Sequence, residues 1–374
     1  MMNRKNALLL FCTFLKPLSK KEVLEYRQKI IDDKIPWLQL IAIANSNYMI
    51  PLLYMALQKN CLYDDILDEQ LKEYLYTIYT FNYERNKQIL QQLDDLVSTL
   101  SPLGITPLLL KGSAVLCEND YDDLGARSLT DIDILIKEDA LKNAFNALVA
   151  NGYHFTREED KRTLTKDFHH IEPISKEGYP SSVELHRTIL GKGVSTYMLD
   201  YEQHMTKSTH KDFTDINILT PTYRLYHAFL HTELQDADYK FKRLALRHLF
   251  DFTVLVKKYE QEIDWKLLDQ LVTKKECKEI LEDYLYVVNQ LFSLQTPLTT
   301  TTKRARKHYR MVCKEFELRN SWLGYFYPLS AQIPKLLQAY SYKKLQKIYS
   351  FNSYNGYIIA IFKHFYFHIK SKIF

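Results

Sequence analysis

Apolar residues recur along this chain with two periods, and the change from one to the other divides it. Up to about residue 100 the period is helical. Leu67, Leu71, Leu75 and Ile78, then Ile89, Leu90, Leu93, Leu96, Val97 and Leu100, fall on single helical faces. They predict one or two long helices over 66–100, with these stripes as core. Ser19 followed by Glu22 reads as a capping box, so a helix is expected from residue 20. Ser101-Pro102-Leu103-Gly104 then breaks the helical pattern.

From 105 to 190 the pattern shortens to strands. Residues 105–111 predict a short buried strand, Gly112-Ser113 a turn, 113–120 a helix and 120–126 a polar loop. Residues 131–136 alternate: Asp131 and Asp133 share one face, and Ile132, Ile134 and Ile136 the other. Residues 139–151 form an amphipathic helix through Leu141, Phe145, Leu148 and Val149, closed by Gly152. Residues 153–156 read as a strand. Segments 168–175 and 181–188 read as a hairpin about the turn-rich 176–180. In its second arm Val183 and Leu185 face one way, Glu184 and His186 the other. From 222 to about 340 the helical period returns, as in Leu244, Leu246, Leu249, Phe250 and Val254, with a Thr-rich linker at 296–302. The predicted class is α+β. A core at 101–215 lies between helical regions at 1–100 and 216–340, followed by a tail at 341–374.

Composition narrows this picture. At 46% apolar residues the chain can bury a sizeable core, and 9 Gly with 11 Pro argue against a loop-rich all-β fold. The net charge of +5 is unevenly placed. Seven Lys and no acid occupy the last 40 residues, so 1–334 sum to 5 − 7 = −2. That balance argues against a long nucleic-acid track on the body. The tail mixes Lys with Tyr and Phe. It is expected to dock on the body through its aromatics, with peripheral contact to an anionic membrane as the alternative. Five scattered cysteines without C-x-x-C spacing argue against a disulfide framework or zinc site, and for a reducing cytoplasm. The apolar run 7–15 imitates a signal peptide, but Lys16-Pro17-Leu18-Ser19-Lys20-Lys21 follows where a small-residue cleavage site would stand. No apolar run approaches the roughly 20 residues that span a bilayer.

The candidate chemistry sits on the alternating strand. Two carboxylates side by side repel unless a cation lies between them. Mg²⁺ takes one or two carboxylates together with the phosphates of a substrate. A Gly-Ser turn opening a helix, Gly112-Ser113, offers backbone N–H groups to those phosphates. Lys111 and Arg127 either clamp a triphosphate or neutralise the acids. His186 either touches an acceptor, orients Glu184, or is simply packed. His169 and His170 read as structural. His227 and His231 lie four apart without the Glu that H-E-x-x-H requires, so they read as packing or as lining a pocket. Asp251 is expected to pair with Arg247 one turn earlier.

Strand, Gly-Ser turn, helix, Asp-x-Asp strand and a later single acid together resemble the DNA polymerase β-like nucleotidyltransferase superfamily. Leu110-Lys111-Gly112, Arg127-x-x-x-Asp131-Ile-Asp133-Ile-Leu and Val183-Glu184-Leu185-His186 resemble, more closely, the bacterial family of uncharacterised nucleotidyltransferases. The motifs cover about 105–190. The resemblance implies a mixed sheet with helices on one side, a two-metal site using Mg²⁺ or Mn²⁺, and transfer of a nucleoside monophosphate from an NTP. Asp131 and Asp133 would bind the metal that holds the triphosphate. Glu184 would be the third acid and the general base, and Gly112 and Ser113 would hold the β,γ-phosphates. The 17-residue spacer 114–130 is longer than in minimal members and would form a helix or loop over the nucleotide. The acceptor stays open between a small molecule, a sugar, a protein side chain and a tRNA end. The rival functions are a catalytically inactive nucleotide-binding module and a toxin-type enzyme acting on tRNA.

Overall fold

The computed structural model describes residues 3–156, 169–191, 193–210, 213, 215–318, 342–350, 353, 355–360 and 363. It forms two compact units, 1–312 and 313–374.

The first unit opens with α1 (Arg4–Phe14), α2 (Lys20–Ile31), α3 (Trp37–Ser46), α4 (Ile50–Lys59) and α5 (Glu69–Leu100). The signal-like run forms α1, where Ala7, Leu8, Phe11 and Phe14 are fully buried. The capping box at Ser19 and Glu22 forms as the spacing predicts. Residues 69–100 make one helix of 32 residues, started by the Asp68 side chain accepting from the Gln70 and Leu71 amides.

The sheet follows, with its helices between: β1 (Leu108–Leu109), α6 (Lys111–Cys117), β2 (Asp131–Leu135), α7 (Glu138–Ala150), β3 (His154–Phe155), β4 (Ile174–Ser175), β5 (Ser182–His186), β6 (Met205–Lys207) and β7 (Asn217–Leu219). Among the described residues seven strands lie in the order β3-β4-β5-β2-β1-β7-β6. The sheet is mixed: β2 runs parallel to β5 and antiparallel to β1, while β1 runs parallel to β7. The expected hairpin is present, Ile174 pairing with Val183, although Phe168 lies outside the described residues. Its apolar side chains join one core. Ile132, Ile134, Val183 and Leu185 pack with Ile89, Leu93 and Leu96 of α5 and with Leu141, Ala144 and Leu148 of α7.

The start of the core departs from expectation. The buried strand is only two residues long, and helix α6 begins at Lys111 rather than after a Gly-Ser turn. The Leu110 amide donates to the Asp133 carbonyl at 3.1 Å, and Lys111 then bends the chain with φ of +49°. The turn is thus made by a lysine held in the left-handed region, which costs a non-glycine residue about 1 kcal/mol or more. Gly112 and Ser113 fall inside the helix's first turn. A Cβ on Gly112 would overlap Leu129 Cδ1 and touch the Arg127 guanidinium, so a side chain there would displace Leu129.

The second helical series comprises α8 (Pro221–Phe229), which continues as a π-helical turn at Leu230–Gln235, then α9 (Asp238–Phe241), α10 (Leu246–Lys258), α11 (Trp265–Lys274), α12 (Lys278–Phe292) and α13 (Lys303–Leu318). Helix α12 packs on α1, so the first and last helical series of this unit meet. The helical period expected to reach 340 enters residues 319–341, outside those described. In the second unit α14 (Tyr342–Tyr349) buries Leu345 with Ala360, flanked by Tyr349 and Tyr357. Among the described residues no helix is long and apolar enough to cross a membrane.

Candidate active site

The parallel register of β2 on β5 sets Asp131 opposite Ser182, Asp133 opposite Glu184 and Leu135 opposite His186. Side chains paired this way share a face. The two strands therefore bring Asp133, Glu184 and His186 together, and a ligand atom of each lies within 4.8 Å of the others. His186 Nε2 is 2.8 Å from Asp133 Oδ1 and 3.4 Å from Glu184 Oε2. Lys111 Nζ reaches the same Asp133 oxygen at 2.6 Å. Asp133 is 2% exposed. Burial pushes its carboxyl up, but the His186 bond and the Lys111 ammonium outweigh burial and hold it well below the usual range. Glu184 is also lowered, chiefly by His186. Asp133 in turn keeps the Lys111 ammonium charged against its burial.

Asp131 stands apart from this cluster. Its carboxylate accepts from the Thr130 hydroxyl at 2.7 Å. Burial first, and then the Asp133 charge, raise its pKa. Ser113 is buried, and its hydroxyl accepts from the Asp133 amide at 2.8 Å, tying α6 to the strand. Arg127 forms a bidentate pair with Asp251, Nε and Nη2 each 2.8 Å from a carboxylate oxygen. This corrects the expected Arg247–Asp251 pair. Arg247 instead donates to the Ser128 carbonyl at 3.3 Å and stacks over Tyr48. His169 and His170 pack beside His186, with ring centroids 5.8 and 5.4 Å away.

The sequence reading missed a clamp on α5. The Asn82 amide donates to the Gly125 carbonyl and the Asn86 amide to the carbonyls of Leu124 and Arg127. Arg85 donates to the Leu129, Thr130 and Pro180 carbonyls, and Gln92 to Ser181. One helix thus fixes the chain entering both acid-bearing strands. The signal was present: Asn82 and Asn86 occupy stripe positions seven residues from Leu75, Ile89 and Leu93, where an apolar residue would be expected.

A family model described as an uncharacterised nucleotidyltransferase matches residues 33–293. The chain belongs to that family. No curated protein and no solved structure matches it.

Lys111 and Gly112 also border a cavity of about 60 Å³ between α6, α8 and α10. His227, His231 and His248 line it; of the two readings left open for His227 and His231, packing or lining a pocket, the structure shows them at a cavity wall, joined by His248, which the sequence did not suggest. Burial pushes His227 and His248 down to about 4 and His231 well below its usual value, leaving three uncharged imidazoles at neutral pH.

The donor set fits a divalent cation: two carboxylates meet on neighbouring strands, and a third precedes them on the same face. His186 fits better as a positioning residue than as a ligand. Its Nδ1 is buried without a partner among the described residues. A metal-bound imidazole ordinarily donates its other N–H to a fixed acceptor. Nε2–H donated to Asp133 leaves only an unpaired lone pair at Nδ1.

Proposed function

We propose that this chain moves a nucleoside monophosphate from an NTP to a hydroxyl-bearing acceptor and releases pyrophosphate, as the DNA polymerase β-like superfamily does. The observation that carries this reading is the β2–β5 register, with Asp133 beside Glu184 and Asp131 on the same face. Asp131, Asp133 and Glu184 would hold Mg²⁺ or Mn²⁺, which when bound supplies positive charge to the triphosphate and the acceptor oxygen. The chain's own residues do the rest. Glu184 accepts the proton of the acceptor hydroxyl. The freed oxygen forms a bond to the α-phosphorus, the bond from that phosphorus to the bridging oxygen breaks, and pyrophosphate leaves. Lys111 turns from Asp133 to the β,γ-phosphates. Gly112, lacking a Cβ, lets them approach the α6 backbone, and the Ser113 hydroxyl proton remains to be donated. His186 keeps Asp133 in place. Arg127 acts through Asp251, holding the chain that enters β2. The acceptor is a small molecule, sugar, protein side chain or tRNA end, and the setting is the cytoplasm.

The test is label transfer from each α-labelled NTP, with Mg²⁺ or Mn²⁺, into fractionated host extract. Label should appear with the wild type and vanish with Asp131→Ala/Asp133→Ala; full transfer by that double variant sinks the reading. One observation favours the inactive-module alternative: the Lys111 ammonium already neutralises Asp133, and His186 occupies the same carboxylate oxygen with a hydrogen bond. Tight Mg²⁺·NTP binding without pyrophosphate release in any fraction would establish that alternative.

A further inference from the structure

Away from the acid-bearing strands the first unit holds a second, larger cleft of about 320 Å³, between the end of α1, α4, the 120–126 loop and α10. Its floor is apolar: Leu15, Leu52, Ala56 and Phe250 are buried there. Its rim is cationic, carrying Lys59, Lys257 and Lys258. Lys258 is committed, donating to the Glu118 and Asn119 carbonyls and lying 3.6 Å from Asp120. Lys59 and Lys257 form no ion pair among the described residues. Partial desolvation, and then the Lys16 charge, lower the pKa of Lys257 although its side chain is largely exposed. Of the rim acids, Asp120 is claimed by Arg224, and Asp122 is exposed.

We propose that this cleft binds a small amphipathic anion, a free alkyl carboxylate of medium chain length. The alkyl chain lies on the Leu15, Leu52, Ala56 and Phe250 floor, and the carboxylate sits between Lys59 and Lys257. Three features choose that ligand. The volume stands at the lower end of the roughly 300–1,000 Å³ typical of small-molecule sites, enough for one chain. Each methylene moved from water to the floor contributes to binding. A negative head relieves lysines that have no counter-ion. The occupant would also touch Tyr121, whose hydroxyl donates to Asp251 Oδ1 at 2.5 Å, the carboxylate that grips Arg127. The site stands independently of the reaction proposed above.

Titration calorimetry of the full chain with sodium octanoate tests it, with uncharged 1-octanol as the control. Octanoate should bind saturably at one site with a Kd below about 1 mM, and 1-octanol about tenfold or more weaker. Ala56→Trp, which fills the floor, should abolish binding. Because that variant changes a buried position, Lys59→Glu/Lys257→Glu provides a second arm on exposed residues. It should unfold like the wild type yet lose octanoate at least about tenfold. Absence of saturable binding overturns the proposal. So does 1-octanol binding as tightly as octanoate, or wild-type affinity in the folded double lysine variant.

Discussion

Charge converges on Asp133. Its Oδ1 takes both Lys111 and His186, while Asp131, two residues away on the same face, has among the described residues only the Thr130 hydroxyl as a hydrogen-bond partner. The two carboxylates should therefore respond oppositely to neutralisation. Asp133→Asn removes the buried partner of the half-buried Lys111 ammonium and should cost about 3 kcal/mol in urea unfolding. Asp131→Asn removes a carboxylate that burial and Asp133 both disfavour, and should gain about 0.5 to 1 kcal/mol. If the proposed reaction is right, both variants lose label transfer by ~1,000-fold or more. A stabilised but inactive Asp131→Asn separates a functional carboxylate from a structural one. Equal destabilisation by both variants would show that Asp131 has a partner role of its own.

At the scale of elements, α5 does more than cover the sheet. Sequence periodicity gave its apolar stripe correctly, and Ile89, Leu93, Leu96 and Leu100 are buried as that stripe predicts. What the stripe concealed is that Asn82, Asn86 and Gln92 are buried in it and bind carbonyls lying 38 to 89 residues away. Those carbonyls belong to irregular chain with no ladder partners, and an unpaired buried carbonyl is costly. Asn86→Ala should cost about 2 to 3 kcal/mol by urea midpoint, since two carbonyls lose their donor. Gln91→Ala, exposed on the same helix, should stay within about 0.5 kcal/mol. The π-helical turn after α8 and the left-handed Lys111 were likewise invisible in the pattern. Both are backbone adjustments to packing partners far along the chain.

Across the whole molecule, buried titratable groups set how stability varies with pH. His227 and His248 have folded pKa values of about 4 against 6.5 unfolded, so the unfolded chain binds more protons between those values. Their contribution is lost as pH falls from 6.5 towards 4. Glu233, buried in the π-helical turn, is raised from 4.5 to about 8. There the folded chain holds the extra proton, and stability falls as pH rises from 4.5 to 8. For these three groups the opposing slopes balance near pH 6.5. From 6.5 to 8 the Glu233 proton alone amounts to roughly 2 kcal/mol of loss. Glu233→Gln should flatten that decline, which thermal unfolding between pH 6 and 8.5 would measure. An unchanged slope would mean that Glu233 is ionised in the folded chain.

The sequence alone determined the α+β class, the alternation that puts Asp131 and Asp133 on one face and Glu184 with His186 on one face of a second strand, and the helical series on either side. These follow from local periodicity, which a chain cannot adopt without showing it in its residues. The tertiary structure alone decided which carboxylate Lys111 and His186 engage, that Asp251 answers to Arg127 across 124 residues rather than to Arg247 one turn away, and that α6 starts on a strained lysine. Side chains such as Arg and Asp carry no address: several partners satisfy them equally well in sequence. Only the packing of α6, α10 and the sheet leaves one of those partners within reach.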